Sequence, residues 1–176
     1  MHKQQTYNRK VPGSNRMRKG SKVTRQTKFV ISWIAVAFWA CFIFSMSANT
    51  GDGLNSGDGI VSLIFCALHE AQAALLGSDV DIVSICAHFC EYTIFGALLV
   101  NALHYHMPLK KALIFALLCG SLYGVSDEFH QYFVPDRACD PFDWLTDTCG
   151  SLFGAWLMTR WFVHKKSVGE KSQHTQ

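Results

Sequence analysis

Three short stretches of this chain place acids and histidines inside long apolar runs. They are His88-Phe89-Cys90-Glu91-Tyr92, Asp127-Glu128-Phe129-His130-Gln131, and Asp143 with Asp147. An ionisable side chain in a bilayer costs on the order of 3 kcal/mol or more, so such groups are usually turned inward and kept for function. Their spacing supports that reading. His88 and Glu91 are i, i+3; Asp127, His130 and Gln131 are i, i+3, i+4; Asp143 and Asp147 are i, i+4. On helices, each set shares one face. Imidazoles beside carboxylates can move protons, which makes Glu91, Asp127 and His130 the candidate catalytic residues. The same groups can ligate a divalent metal, with His88, Glu91, Asp127, Asp143 and Asp147 as candidate ligands. Mixed histidine and carboxylate donors suit zinc or manganese, and oxygens alone suit magnesium or calcium.

The local charge balance sharpens the question. Glu91, Asp127, Glu128, Asp136, Asp140, Asp143 and Asp147 face only Arg137 and the two histidines, if those are protonated. So many carboxylates cannot all stay ionised in a dry site. Some are protonated, or a cation compensates them, or some face water. Arg137, whose planar fork matches carboxylate and phosphate, is a candidate substrate-binding residue. Gln131, Ser45 and Ser47 join it as polar candidates. The plain alternative is that all these residues only pair across helices, for about 1 kcal/mol each, with the serines bonded back to their own helix.

The elements that must position these residues follow from segregation. Of 176 residues, 49% are hydrophobic and 16% charged, and the charges gather at the ends and in short connectors. The predicted fold is all-α, a polytopic membrane protein with four transmembrane helices: Phe29–Ala48, Ile82–Leu103, about Ala112–Phe133 and about Phe142–Val163. Each run is long enough to cross a bilayer. Residues 60–76 are apolar but broken by His69-Glu70, and are expected to form an interfacial or re-entrant helix.

The basic residues set the orientation. Nine Lys or Arg lie in residues 1–28 with no acid, none lies in 49–81, Lys110 and Lys111 mark the second connector, and the tail is basic. Both termini are therefore expected in the cytoplasm; a fifth span at 60–76 would invert this. The domains expected are a disordered basic arm at 1–28, a transmembrane domain at 29–163 and a polar cytoplasmic tail at 164–176. The arm runs straight into a membrane span, so the bilayer, not nucleic acid, is its expected partner. The first span is too long and bulky for a signal peptide. Seven cysteines, mostly within apolar runs, show no disulfide framework.

With that orientation, all three polar sets fall in the outer half of the membrane at about 1.5 Å rise per residue. One shared site facing the extracytoplasmic side is expected. Gly120-x-x-x-Gly124 and Gly150-x-x-x-Gly154 share faces with Asp127 and Asp147. Small residues four apart allow close approach in lipid, which predicts that the third and fourth spans pack along that seam.

The motifs His88-x-x-Glu91-Tyr92, Ser126-Asp127-Glu128-x-His130-Gln131-x-Phe133-Val134-Pro135-x-Arg137 and Asp143-x-x-x-Asp147-x-x-Gly150 resemble the VanZ-like family of bacterial membrane proteins. The resemblance covers roughly Phe29–Val163. Where many members are expected to carry Asn, this chain has Thr148-Cys149-Gly150. The family is named after a protein associated with teicoplanin resistance. The resemblance implies a small multi-span protein of the cytoplasmic membrane, without an agreed reaction. Three functions stay open: an enzyme acting on a lipid-linked or phosphate-bearing envelope precursor, a non-catalytic binder of lipid head groups or cell-surface-active compounds, and a proton-coupled transporter.

Overall fold

The computed structural model describes residues 13–48, 60–76, 82–135 and 139–173. Five α-helices account for nearly all of them: α1 (Gly13–Ser47), α2 (Ile60–Leu76), α3 (Ile82–Leu103), α4 (Leu109–Gln131) and α5 (Pro141–Gln173). No strand occurs among the described residues. Helix α1 begins at Gly13, so the basic stretch expected to be disordered is helical over its second half. Lys and Arg are good helix formers, and an apolar helix downstream supplies the nucleus they extend. At the other end, α5 carries helix through the tail as far as Gln173.

Three segments are long and apolar enough to cross a membrane: Thr24–Ser47, Ile82–Leu103 and Leu109–Gln131. They match the first three expected spans within a few residues. Helix α5 is long enough, yet Asp143, Thr146, Asp147, Thr148 and Arg160 dilute its apolar character, and it is not among them. Helix α2 has 17 residues, or about 25 Å at 1.5 Å each, short of a bilayer core of about 30 Å.

Helices α3 and α5 make the most extensive contact, α4 packs on both, and α1 lies against α3 and α4. Helix α2 touches α3, where Gln72 Oε1 accepts the Val83 N–H at 2.8 Å. The α3–α5 contact is built on glycines. A Cβ placed on Gly150 would sit 2.6 Å from the Phe89 carbonyl oxygen. On Gly154 it would strike the Thr93 carbonyl, and on Gly96 the Ser151 backbone. This corrects part of the expected seam. The α4 glycines do face α5: a Cβ on Gly120 would meet the Ser151 side chain, and one on Gly124 the Asp147 side chain at 3.3 Å. The α5 glycines instead face α3. Residues 150 and 154 do share a helix face with 147, but α5 sits in the groove between α3 and α4 and presents different edges of that face to each.

Longer-range polar ties fix α1. Trp39 Nε1 donates to the Glu91 carbonyl at 2.9 Å, Tyr123 Oη to the Ala40 carbonyl at 2.7 Å, and Asn101 Nδ2 to Ser32 Oγ at 3.1 Å. The start of α5 is set by its own sequence. Asp140 caps it, accepting the Phe142 N–H at 2.9 Å, and Pro141 occupies the first helical position.

Gly154→Val is expected to cost about 1–3 kcal/mol or more through overpacking against backbone, read as a lower unfolding temperature in detergent. Gly169→Val, where a Cβ meets nothing within 4 Å, should leave that temperature nearly unchanged.

Candidate functional site

The polar side chains gather at one end of the bundle. His88 is six residues into α3, Asp127 four residues from the end of α4, and Asp147 six residues into α5, each about 6–9 Å from a helix end. The three come from three different helices. Each offers one ligating atom, and these atoms lie within 4.8 Å of one another.

His88 Nδ1 is 3.1 Å from Asp147 Oδ1. That approach depends on the glycine contact two turns away, since α3 and α5 must nearly touch for an imidazole and a short carboxylate to meet. Asp127 reaches the pair from α4, next to Gly124. Its Oδ2 accepts from Gln131 Nε2 at 3.4 Å, one turn along the same helix. The Gln131 amide also donates to Ser47 Oγ at 2.9 Å, at the end of α1, and Ser47 is itself hydrogen-bonded to Asp127. Four of the five helices, α1, α3, α4 and α5, thus contribute side chains to this polar end.

The site is dry. Asp147 is 0% exposed, Asp127 3%, Gln131 1% and His88 9%. Among the described residues, Asp127 Oδ1 and Asp147 Oδ2 are buried with no hydrogen-bond partner. An ionised carboxylate oxygen left bare in a low-dielectric interior is strongly unfavourable unless a cation or a proton meets it. This arrangement can therefore hold a cation, or bind and polarise water.

The sequence-derived candidates separate into groups. His88, Asp127, Asp147, Gln131 and Ser47 meet. Glu91 is half-buried one turn beyond His88, and its ligating atoms do not join the trio; nor do those of Asp143. The His130 ring stacks on Phe44, with centroids 4.2 Å apart, and its Nε2 is buried with no partner among the described residues. It faces α1 rather than the trio. Ser45 bonds back to the Cys41 carbonyl at 2.8 Å, which is the plain reading of that serine. Arg137 lies outside the described residues.

Two residues escaped the sequence reading. Tyr92 is 0% exposed, and its hydroxyl has no partner among the described residues. The signal was present, since 92 follows His88 by four and shares its face. Glu128 is also buried, and its Oε2 accepts the Asp140 N–H at 2.8 Å. It ties the α4–α5 connector down beside the site. No periodicity could have assigned it, because neighbours in a helix point about 100° apart.

Gln131→Leu is expected to cost about 1–3 kcal/mol, because it leaves Asp127 and Ser47 buried with fewer partners. Ser45→Ala, which removes a back-bond at an exposed position, should change stability by under about 0.5 kcal/mol. Thermal unfolding of the two variants in detergent measures the difference.

The family model described as VanZ/LLP1 matches residues 32–163, well over half of the chain. The matched stretch contains His88, Asp127, Asp147, Gln131 and Ser47. No curated relative and no solved structure matches the chain. On that match, spanning every helix that contributes to the trio and its network, the chain belongs to the VanZ/LLP1 family.

Proposed function

We propose that this chain is an integral membrane enzyme that hydrolyses a phosphate-bearing lipid at the extracytoplasmic face of the cytoplasmic membrane. The observation that carries the proposal is the convergence of His88, Asp127 and Asp147 from three helices into one dry, polar end of the bundle. Interhelical pairing alone would satisfy both carboxylates; here each keeps an oxygen with no partner among the described residues.

The orientation rests on charge. Arg25, Lys28, Lys110, Lys111, Arg160, Lys165 and Lys166 all lie toward the opposite end from the trio. Lys110 and Lys111 occupy the first turn of α4, where the helix dipole disfavours cations. Retention in the cytoplasm is the stronger demand on them. We read α5 as the fourth span over about Phe142–Val163, with both termini inside. Its acids point inward, while Phe142, Leu145, Leu152, Phe153, Trp156 and Leu157 are exposed as a lipid-facing surface would be. We read α2 as an interfacial helix.

The depth of the site favours a lipid substrate. At about 6–9 Å from the helix ends, the trio lies where a lipid head group arrives without leaving the bilayer. Water held by the trio adds its oxygen to phosphorus. The bridging P–O bond breaks, its electron pair stays on the departing oxygen, and the proton of the attacking water passes to the His88–carboxylate group and then to that departing oxygen. Arg137, two residues beyond Pro135, suits a phosphate by its bidentate fork. The bare carboxylate oxygens also suit a cationic ligand held without turnover, and one assay separates the two readings.

In that assay, purified full-length protein is incubated with a polyprenyl pyrophosphate in detergent, and inorganic phosphate is measured. His88→Ala, Asp127→Asn and Asp147→Asn should each lower the rate by about 10²-fold or more, while Ser45→Ala should stay near the parent. No phosphate release, with a cationic probe retained instead, would favour the binder. Topology is tested separately on single-cysteine variants in intact cells. Cys139, exposed on the site-end connector, should react with a membrane-impermeant maleimide, and a cysteine replacing Lys166 should not.

A further inference from the structure

We propose that His88, Asp127 and Asp147 bind one divalent transition-metal ion, zinc or manganese, through one atom each, leaving the remaining coordination open. The inference deepens the hydrolytic reading and names the cofactor of the same site. Its geometric basis does not depend on which reaction follows.

Three features of the trio point to an ion rather than to hydrogen bonding alone. The ligating atoms come from three helices and lie within 4.8 Å of one another. His88 Nδ1 and Asp147 Oδ1 stand 3.1 Å apart, close to the spacing of two ligands on one ion. Donors bound at about 2.0–2.2 Å in tetrahedral geometry stand about 3.4 Å apart. Finally, neither carboxylate is fully satisfied by the protein. Gln131 holds Asp127 Oδ2, while Asp127 Oδ1 and Asp147 Oδ2 are buried and unpartnered among the described residues. Asp127 is 3% exposed and Asp147 0%, so bulk solvent does not reach those side chains.

The donor set selects the metal. One imidazole with two carboxylates suits zinc or manganese. Magnesium and calcium prefer oxygen throughout, and no thiolate is present to favour a softer ion. Three protein ligands with an open position is the pattern of catalytic sites, as against closed structural ones. Of the five ligands the sequence offered, Glu91 and Asp143 drop out. Gln131 becomes a positioning residue. Anchored on Ser47, it orients Asp127 from outside the coordination sphere, the role that outer partners of metal ligands commonly play.

The test uses full-length protein in detergent. It is stripped with a chelator, dialysed separately against Zn²⁺, Mn²⁺ or Mg²⁺, desalted, and analysed for bound metal. The expected result is one ion of zinc or manganese retained per chain, and no magnesium. Asp127→Asn and His88→Ala should abolish retention. Gln131→Ala should weaken affinity by about 10–100-fold, and Ser45→Ala should bind as the parent does. Cobalt substitution should give a visible d–d spectrum in the parent that the ligand variants lack. Retention equal in the parent and in Asp127→Asn would overturn the proposal, and so would no zinc or manganese on the parent, whatever the variants' folding. Phosphate release that survives chelation would remove the metal and leave the hydrolytic reading standing. Metal bound with no phosphate release would do the reverse.

Discussion

The near-contact of α3 and α5 is the constraint from which the rest of the structure follows. Gly96, Gly150 and Gly154 leave no side chain between the two backbones, and the carbonyls of Phe89, Thr93 and Ser151 occupy that space. In lipid the hydrophobic effect gives helices no reason to associate. Packing at this range supplies the attraction through dispersion, summed over many atom pairs. Only with the backbones so close can His88 and Asp147, both on short side chains, come within 3.1 Å. Helix α4 then closes the third side, its own glycines admitting Ser151 and Asp147.

Helix α1 is held differently. No glycine seam joins it to the bundle. Side-chain donors reach across to backbone carbonyls of α3, or receive such a reach from α4, as Trp39 and Tyr123 do. At its end Ser47 completes the polar network through Gln131. The bundle therefore has a tightly packed half that sets the positions of the ligating groups, and a pinned half that orients one of them. The Glu128 bond to the Asp140 amide serves the first half, since it fixes where α5 begins and hence where Asp147 falls.

Much of this was legible in the chain. Acids and histidines in apolar runs are expensive enough to stand out. Their helical spacing, together with the positive-inside asymmetry, brings them to one level in the sequence alone. The family motifs pointed the same way, and the match to residues 32–163 agrees with them. What spacing could not supply was angle. A three- or four-residue interval says that side chains share a face about 100° wide, but not which neighbour that face meets. So His130 turned to Phe44 while Asp127 turned to the trio. Gly150 and Gly154 met α3 and not α4, because a helix seated in a groove has two contact edges and the sequence does not mark which is which. Glu128 was invisible because its partner is a backbone amide twelve residues on, which no side-chain pattern records.

The separation of charge along the bundle has an electrical consequence. Acids crowd one end, lysines and arginines the other, and about 30 Å of low-dielectric helix lies between. Field lines in such a body are channelled along its length rather than damped by water. If the trio holds a multivalent cation as proposed, that field would draw it in from the acid side, and capture should quicken in dilute buffer and slow as ionic strength shortens the Debye length.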